Sequence, residues 1–232
     1  MLSACNKIYS CIINERLSKW LESNELLVEE QNGFRKMRNC IEHVYTLTSV
    51  IETRLKLKQD TFACFIDAAK AFDTVNRASL WYKLFSIGVR GKLYKAIQSL
   101  YKNVKYSVRI NPVLSTGQFD VPNGLKQGCM LSPTLFSIYV NDLALEINNL
   151  NIGVDCNGHK ISILLYADDV VLIAPTSDAL QAMLNKVNNW CNKWRITLNN
   201  TKTKVIHFRA KNTQQCKYEF KCGEMKVDYC EK

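Results

Sequence analysis

Two adjacent carboxylates, Asp168 and Asp169, interrupt an otherwise apolar run from Ile161 to Ile173. Neighbouring acids repel, and flanks this apolar are expected to be buried. A divalent cation would relieve that repulsion. Mg²⁺ prefers hard oxygen ligands and is usually held by one or two carboxylates plus substrate phosphates. The other reading of the pair is a polar turn, since Asp is common in turns. A third acid, Asp67, ends the apolar run Phe62–Ile66 and precedes Ala68-Ala69-Lys70. Here a helix N-cap is the other reading, as it is for Asp73. Three carboxylates converging from two strands could hold two cations about 3.5–4 Å apart, the arrangement for in-line phosphoryl transfer.

The elements that would position these acids can be traced from periodicity. Thr61–Asp67 reads as a strand. Ile161–Tyr166 and Val170–Ile173 read as two strands of a hairpin with the acids at its tip. Apolar spacing predicts helices around Ile8–Leu21, Ile41–Ile51 and 177–194, and two helices within 78–102 broken near Gly88 and Gly91. Val104, Tyr106, Val108 and Ile110 alternate as in a strand. Asn111-Pro112 and Ser115-Thr116-Gly117 mark a turn, and Phe119-Asp120-Val121 returns as a partner strand. A loop, 122–132, leads into a helix from about Pro133 to Asn148, with Ser132 as the expected N-cap. Thr203–Phe208 is a further strand, and 218–232 reads as one hairpin. Helices inserted among antiparallel strands give an α+β fold.

Composition narrows the function. The 232 residues carry 31 Lys and Arg against 21 Asp and Glu, a net charge of +10. From Arg77 to Arg109 there are eight basic residues and no acidic one, with Trp81, Tyr82, Phe85, Tyr94, Tyr101 and Tyr106 among them. Basic stretches interleaved with aromatics suit nucleic acid, and a solvated helix face is the alternative. No uninterrupted run of about 18 apolar residues occurs, so no membrane span is expected. The opening MLSACNKIYS lacks a basic segment followed by a clean apolar one, so no secretory leader is expected. None of the ten cysteines forms a Cys-x-x-Cys pair. That argues against a structural zinc site and for reduced thiols in an intracellular protein, nuclear or cytoplasmic.

Five segments together resemble the reverse transcriptases of non-LTR (LINE-like) retrotransposons. In chain order they are Gln31-Asn-Gly-Phe-Arg35, Cys64-Phe-Ile-Asp67-Ala-Ala-Lys-Ala-Phe72-Asp73, Gly124-Leu-Lys-Gln127-Gly128-Cys-Met-Leu-Ser-Pro133, Tyr166-Ala-Asp-Asp169 and Leu198-Asn-Asn-Thr-Lys-Thr-Lys204. The last four resemble the family's catalytic motifs, and the first a fingers motif. Tyr-x-Asp-Asp alone is a weak signal, but five segments in family order across 31–204 are specific.

The resemblance implies a right-hand polymerase core. A palm with an antiparallel sheet and flanking helices would join helical and β fingers, with no thumb. It also implies roles. Asp67, Asp168 and Asp169, with the Ala68 carbonyl, would hold two Mg²⁺ ions, or Mn²⁺ in their place, and Asp169 would lie farthest from them. Lys202 would protonate the leaving pyrophosphate; a solvated lysine is its other reading. Arg35 would grip the triphosphate, with Lys36 and Arg38 as substitutes, against a plain surface charge. Phe72 would exclude a ribose 2′-hydroxyl, against core packing. Gln127 would touch the incoming nucleotide, and Tyr166 and Gly128 would lie near primer and template. The expected partners are an RNA template, a DNA primer and dNTPs, with no membrane.

On this reading residues 1–60 are N-terminal fingers. Residues 61–77 are the palm strand with the first catalytic acid, 78–122 helices and a hairpin returning to the fingers, and 123–232 palm. The thumb and endonuclease would lie elsewhere in a polyprotein of which this is a fragment. Two rivals remain: an inactive nucleic-acid-binding remnant, and a maturase reverse transcriptase of the group II intron type.

Overall fold

The computed structural model describes residues 3–107, 109–110, 113–114, 117–211 and 213–230. Its elements run α1 (Ala4–Ser23), α2 (Cys40–Lys56), β1 (Thr61–Ile66), α3 (Ala71–Thr74), α4 (Arg77–Ser86), α5 (Gly91–Leu100), β2 (Lys105–Tyr106), β3 (Arg109–Ile110), β4 (Val113–Leu114) and β5 (Phe119–Asp120). They continue with α6 (Ser132–Asn148), β6 (Val154–Cys156), β7 (His159–Ile161), β8 (Ile163–Tyr166), β9 (Asp169–Ala174), α7 (Ser177–Trp194), β10 (Lys204–Phe208), β11 (Phe220–Cys222) and β12 (Met225–Val227). The fold is α+β, as expected. Val108, Asn111, Pro112, Ser115 and Thr116 lie outside the described residues, so the expected strand and turn there are followed only in part.

The chain divides into two compact units. One comprises residues 1–26 and 72–139, the other 27–71 and 140–232, and the division passes through α6. These are cuts by compactness, different from the fingers-and-palm division expected above.

The second unit is built on an antiparallel sheet of order β10-β1-β9-β8. Side chains alternate between its faces. One face carries Phe62, Cys64, Ile66, Ile163, Leu165, Val170, Leu172 and Ala174, all buried. On the other, Leu164 and Ile173 pack with Val50 of α2, and Val171 packs against that cluster. That face opens along the strands: Ala63 is buried, Phe65 and Asp67 are half-buried and Asp169 is exposed. Helix α7 lies against β1, β9 and β11. Its stripe of Leu180, Met183, Leu184, Val187, Trp190 and Trp194 is buried as the spacing predicts. Thr176 caps its first turn by accepting from the Ala179 N–H. Helix α2 starts with a full capping box, Asn39 with Glu42.

The first unit holds α1, α4, α5, the β2–β5 and β3–β4 pairs and the loop into α6. Gly88 and Gly91, both at positive φ, separate α4 from α5 as expected. Ser132 departs from expectation. It is the first helical residue of α6 rather than its cap. Its hydroxyl donates to the Lys126 carbonyl at 2.7 Å and meets the Tyr101 hydroxyl at 3.1 Å. Two buried oxygens nearby draw it away from the helix N–H groups.

The hairpin β6–β7 was not anticipated. Its turn is Asn157-Gly158, both at positive φ, which is the strongest short hairpin signal a sequence carries. Cys64, Cys129, Cys191 and Cys222 are buried. No helix among the described residues is long and apolar enough to cross a membrane.

Candidate functional site

In the second unit, β1 ends at Ile66, which pairs with Val170 of β9. Continuing that register by one step would set Asp67 opposite Asp169, whose carboxyl feels the Asp67 charge. Asp169 in turn pairs with Tyr166 of β8. Residues directly opposite share a face, so Asp67, Asp169 and Tyr166 line one end of the sheet. Asp168 occupies the two-residue turn between Tyr166 and Asp169. Of the two turn acids it is therefore Asp169, expected to lie farthest, that faces Asp67.

Like charges gathered here leave a mark. The Asp169 carboxyl is pushed above the usual carboxylate range, first by partial desolvation and then by the charges of Asp168 and Asp67; Lys202 opposes the shift. Lys202 Nζ lies 3.6 Å from Asp67 Oδ1 with the lysine side chain 67% exposed. The segment bearing Lys202 is fixed on Asp67 by backbone contacts. The Asn199 N–H donates to the Asp67 carbonyl at 2.8 Å, the Ala69 N–H to the Thr197 carbonyl at 2.8 Å, and the Asp67 N–H to Thr203 Oγ1 at 3.4 Å. Ala68 forms an antiparallel bridge with Leu198. That bridge engages the groups of Asp67 and Ala69 and leaves the Ala68 carbonyl directed to the opposite side.

Among the described residues, no three His, Cys, Asp or Glu side chains close into a metal cage by themselves. The donor set nonetheless suits Mg²⁺: hard carboxylates on facing strand ends, with repulsion registered at Asp169 and room left for substrate phosphates. Beside the acids runs a groove of about 420 Å³. Phe65, Leu164 and Val171 line it together with Asp67, Tyr166, Asp169 and Lys202.

The loop that carries Arg35 lies along the outer edge of β8. Arg35 points inward. Its side chain is 6% exposed, and Nη1 donates to the carbonyls of Val28 at 2.8 Å and Gln31 at 3.3 Å. Arg38 binds Glu29 at 2.6 Å, while Lys36 is exposed. Together Arg38 and Arg35 hold the Glu29 carboxyl below the usual range.

The remaining candidates lie in the first unit, around the 122–131 loop. Phe72 is half-buried and stacks on Phe136 at 4.7 Å, so core packing accounts for at least one of its faces. The Phe72 carbonyl accepts from the Leu125 N–H at 2.8 Å, and the Val75 carbonyl from the Gly124 N–H at 2.8 Å. Gly124 sits at φ +81°, and a Cβ there would lie 2.7 Å from the Asp73 carbonyl oxygen, so only glycine fits. Gln127 is exposed and donates to Asp73 Oδ1 at 3.1 Å. Asp73 thus engages a side chain 54 positions further along the chain. Gly128 is exposed at φ +75° with open space around it.

Sequence reasoning missed what holds this loop. Arg77 donates from Nε to the Gly124 carbonyl at 2.9 Å and from Nη1 to the Val121 carbonyl at 2.6 Å. It lies 5.1 Å from the Tyr101 ring centroid, with Lys126 at 5.7 Å. Lys83 is buried too, donating to the Tyr139 carbonyl at 2.5 Å. Two of the eight charges in the basic stretch are therefore interior braces rather than surface. A basic residue count carries no sign of this, because alkyl stems and cation–π contacts let long cations enter a core.

Comparison with known proteins follows the geometry. A family model described as reverse transcriptase (RNA-dependent DNA polymerase) matches residues 1–222. The RNA-directed DNA polymerase from mobile element jockey of Drosophila funebris is 28% identical over 214 residues, covering 90% of this chain and 23% of the relative. The Pol polyprotein from a type-1 retrotransposable element R2 of Nasonia vitripennis is 32% identical over 173 residues, covering 74% of this chain and 16% of the relative. Among solved structures, apo telomerase from Candida Tropicalis truncated from its C-terminal domain superposes with a TM-score of 0.65 at 15% identity, covering 88% of this chain and 41% of that one. The chain thus spans less than a third of the length of the first curated relatives.

Proposed function

The chain belongs to the reverse transcriptase (RNA-dependent DNA polymerase) family, and from that premise we propose that it is the polymerase core of a non-LTR retrotransposon protein. It would join a dNTP to a DNA primer 3′-hydroxyl on an RNA template. The observation that carries the reading is the gathering of three acids at one sheet end: Asp67 just past the Ile66–Val170 pair, Asp169 near enough for the charges of Asp168 and Asp67 to act on it, and Lys202 beside Asp67. The wider protein's partners and activities belong to the same proposal. So does the division into fingers (1–60), catalytic strand (61–77), returning helices and hairpin (78–122) and palm (123–232).

Asp67, Asp168, Asp169 and the Ala68 carbonyl would hold the divalent ions. When bound, two Mg²⁺ ions lower the pKa of the primer hydroxyl and neutralise charge on the triphosphate. The carboxylates are already on one sheet end, so little reorganisation is needed to orient the reacting groups. Tyr166, on the same face, would flank the primer terminus. Lys202 Nζ, exposed and close to Asp67, would give a proton to the departing pyrophosphate. Gln127 would contact the incoming nucleotide from its exposed loop, and Gly128 would let a nucleic acid strand approach the backbone. Phe72, half-buried against Phe136, would press on the sugar. For the triphosphate, exposed Lys36 is the nearer candidate, because Arg35 is engaged by its own loop.

Primer extension by the 232-residue chain on an RNA template with Mg²⁺ tests this. Incorporation should vanish in Asp67→Asn and in Asp168→Asn while primer–template binding persists. Extension that survives Asp67→Asn would overturn the assignment.

A further inference from the structure

We propose that Gln31 is a positioning residue for the acidic turn, its side-chain amide clasping the backbone of Ala167 so that Asp168 and Asp169 are presented toward Asp67. The inference rests on the proposed role of those acids.

The segment 30–32 adds itself to the free edge of β8. Gln31 bridges Leu165 in parallel, the Leu165 N–H donates to the Glu30 carbonyl at 2.8 Å, and the Asn32 N–H donates to the Leu165 carbonyl at 3.0 Å. His43 of α2 secures this junction. Its Nε2 lies 3.0 Å from the carbonyls of both Glu30 and Leu165, which makes that nitrogen the protonated donor. From this anchored strand the Gln31 side chain, with no exposed surface, reaches the turn. Its Oε1 accepts from the Gly33 N–H at 2.8 Å and the Ala167 N–H at 3.1 Å. Its Nε2 donates to the Ala167 carbonyl at 3.4 Å. One amide thus grips the N–H and the carbonyl of one residue, as a backbone bridge would.

Ala167 needs such a grip. It is the first central residue of the two-residue turn and has φ +59°. Turns with positive φ at that position usually carry glycine there, because a Cβ is disfavoured. Alanine does not favour the conformation by itself, so contacts outside the turn must impose it. Gly33 completes the device: a Cβ there would lie 2.1 Å from the Ala167 nitrogen and 2.8 Å from Gln31 Oε1. Any side chain at 33 would push the clasp apart. If Ala167 relaxed, Asp168 would turn with it and Asp169 would lose its register opposite Asp67. A buried glutamine that only joined loop to sheet would have no need to bind both backbone groups of the residue that precedes both acids.

The test uses the whole chain and two readouts, neither of them synthesis. The first is hydrogen exchange of the Ala167 amide followed by NMR. Gln31→Met keeps the size and removes the three bonds, so exchange at Ala167 should quicken at least tenfold while β1 and β9 core amides are unchanged. Gln31→Glu keeps both accepted bonds and should retain most of the protection, which covers the case in which the methionine variant does not fold. Unchanged exchange in Gln31→Met, or equal loss in Gln31→Glu, would overturn the clasp. The second readout is Mn²⁺ binding by electron paramagnetic resonance, with Asp168→Asn as control. Gln31→Met should weaken Mn²⁺ binding roughly tenfold, in the range of residues that orient metal ligands. Wild-type affinity in a folded Gln31→Met variant would overturn the positioning role. Wild-type affinity in Asp168→Asn would overturn the metal reading instead, leaving the exchange result to decide the clasp.

Discussion

Asp67, one residue past the Ile66–Val170 pair of the β1–β9 ladder, lies close enough to Asp169 for its charge to act there, and the Asp169 carboxyl is raised above the usual carboxylate range by partial desolvation and by the charges of Asp168 and Asp67. A carboxyl raised in the folded state holds its proton more tightly there than in the unfolded chain. Its ionisation therefore lowers stability as pH rises from the unfolded value through the folded one, and the loss persists above that window. Asp169→Asn should make the metal-free chain more stable than wild type above the window and equal to it below. Urea denaturation of both at a series of pH values from about 3 to 7 checks this, on unfolded Asp values near 3.9. A wild type as stable as the variant at neutral pH would contradict it.

Lys202 is exposed beside Asp67, so its removal should cost chemistry and little stability. An exposed ion pair contributes about 0–1 kcal/mol, whereas a lost general acid slows reactions by about 10²–10⁴. Lys202→Gln should slow single-nucleotide incorporation by about a hundredfold with melting temperature nearly unchanged. Rapid-quench kinetics with a correct dNTP makes the measurement. A rate within twofold of wild type would leave Lys202 as solvated charge.

Phe72 has two expected effects that separate. Its stack on Phe136 means that Phe72→Val should destabilise the first unit by about 1–2 kcal/mol, given pair energies near 0.5–1.5 kcal/mol beyond area burial. If Phe72 gates the sugar, the same variant should accept ribonucleotides at least tenfold better relative to dNTPs. Competition between matched dNTP and rNTP reads the second effect, and denaturation the first. Destabilisation without relaxed selectivity would leave Phe72 as core alone.

Nucleic-acid affinity should divide the basic stretch into surface and interior. Lys95 and Lys102 are exposed, while Lys83 is buried on Tyr139. In a salt titration of primer–template affinity, Lys95→Gln with Lys102→Gln should shallow the log–log slope by about 1–2, at ~0.7–0.9 per phosphate contact. Lys83→Met should leave the slope alone and change thermal stability instead. A Lys83 variant that alters the slope as much as the double variant would return Lys83 to the surface.

Much of the local structure was legible. The Trp-bearing stripe of α7, the break at Gly88–Gly91 and the hairpin around Ala167–Asp168 were read from spacing, because each is encoded within a few turns or one strand pair. Spacing located α1 and α2 but not which of their apolar residues are covered. Ile8, Ile12, Ile41 and Val44 fit helical stripes yet are exposed, since amphipathic spacing defines a face without saying how much of it finds a partner. Asn157-Gly158 was an available signal that went unread. Arg35 reads as a triphosphate ligand and Arg77 and Lys83 as part of a nucleic-acid-binding stretch, yet all three side chains are turned inward. Their burial depends on carbonyls and rings brought near from elsewhere in the chain.

The sequence by itself determined the chemistry on offer: three acids, the strands that carry them and five segments in the order of one polymerase family. These are properties of residue type and near-neighbour spacing, which survive translation into any compatible fold. Tertiary structure decided which acid faces which, and how the turn between them is held. The pairing of Asp67 with Asp169 follows from a ladder between strands about a hundred residues apart. The clasp of Gln31 on Ala167 spans 136 positions. Both depend on register and on a buried amide finding its partners, and such long-range pairings leave no periodic trace in the chain.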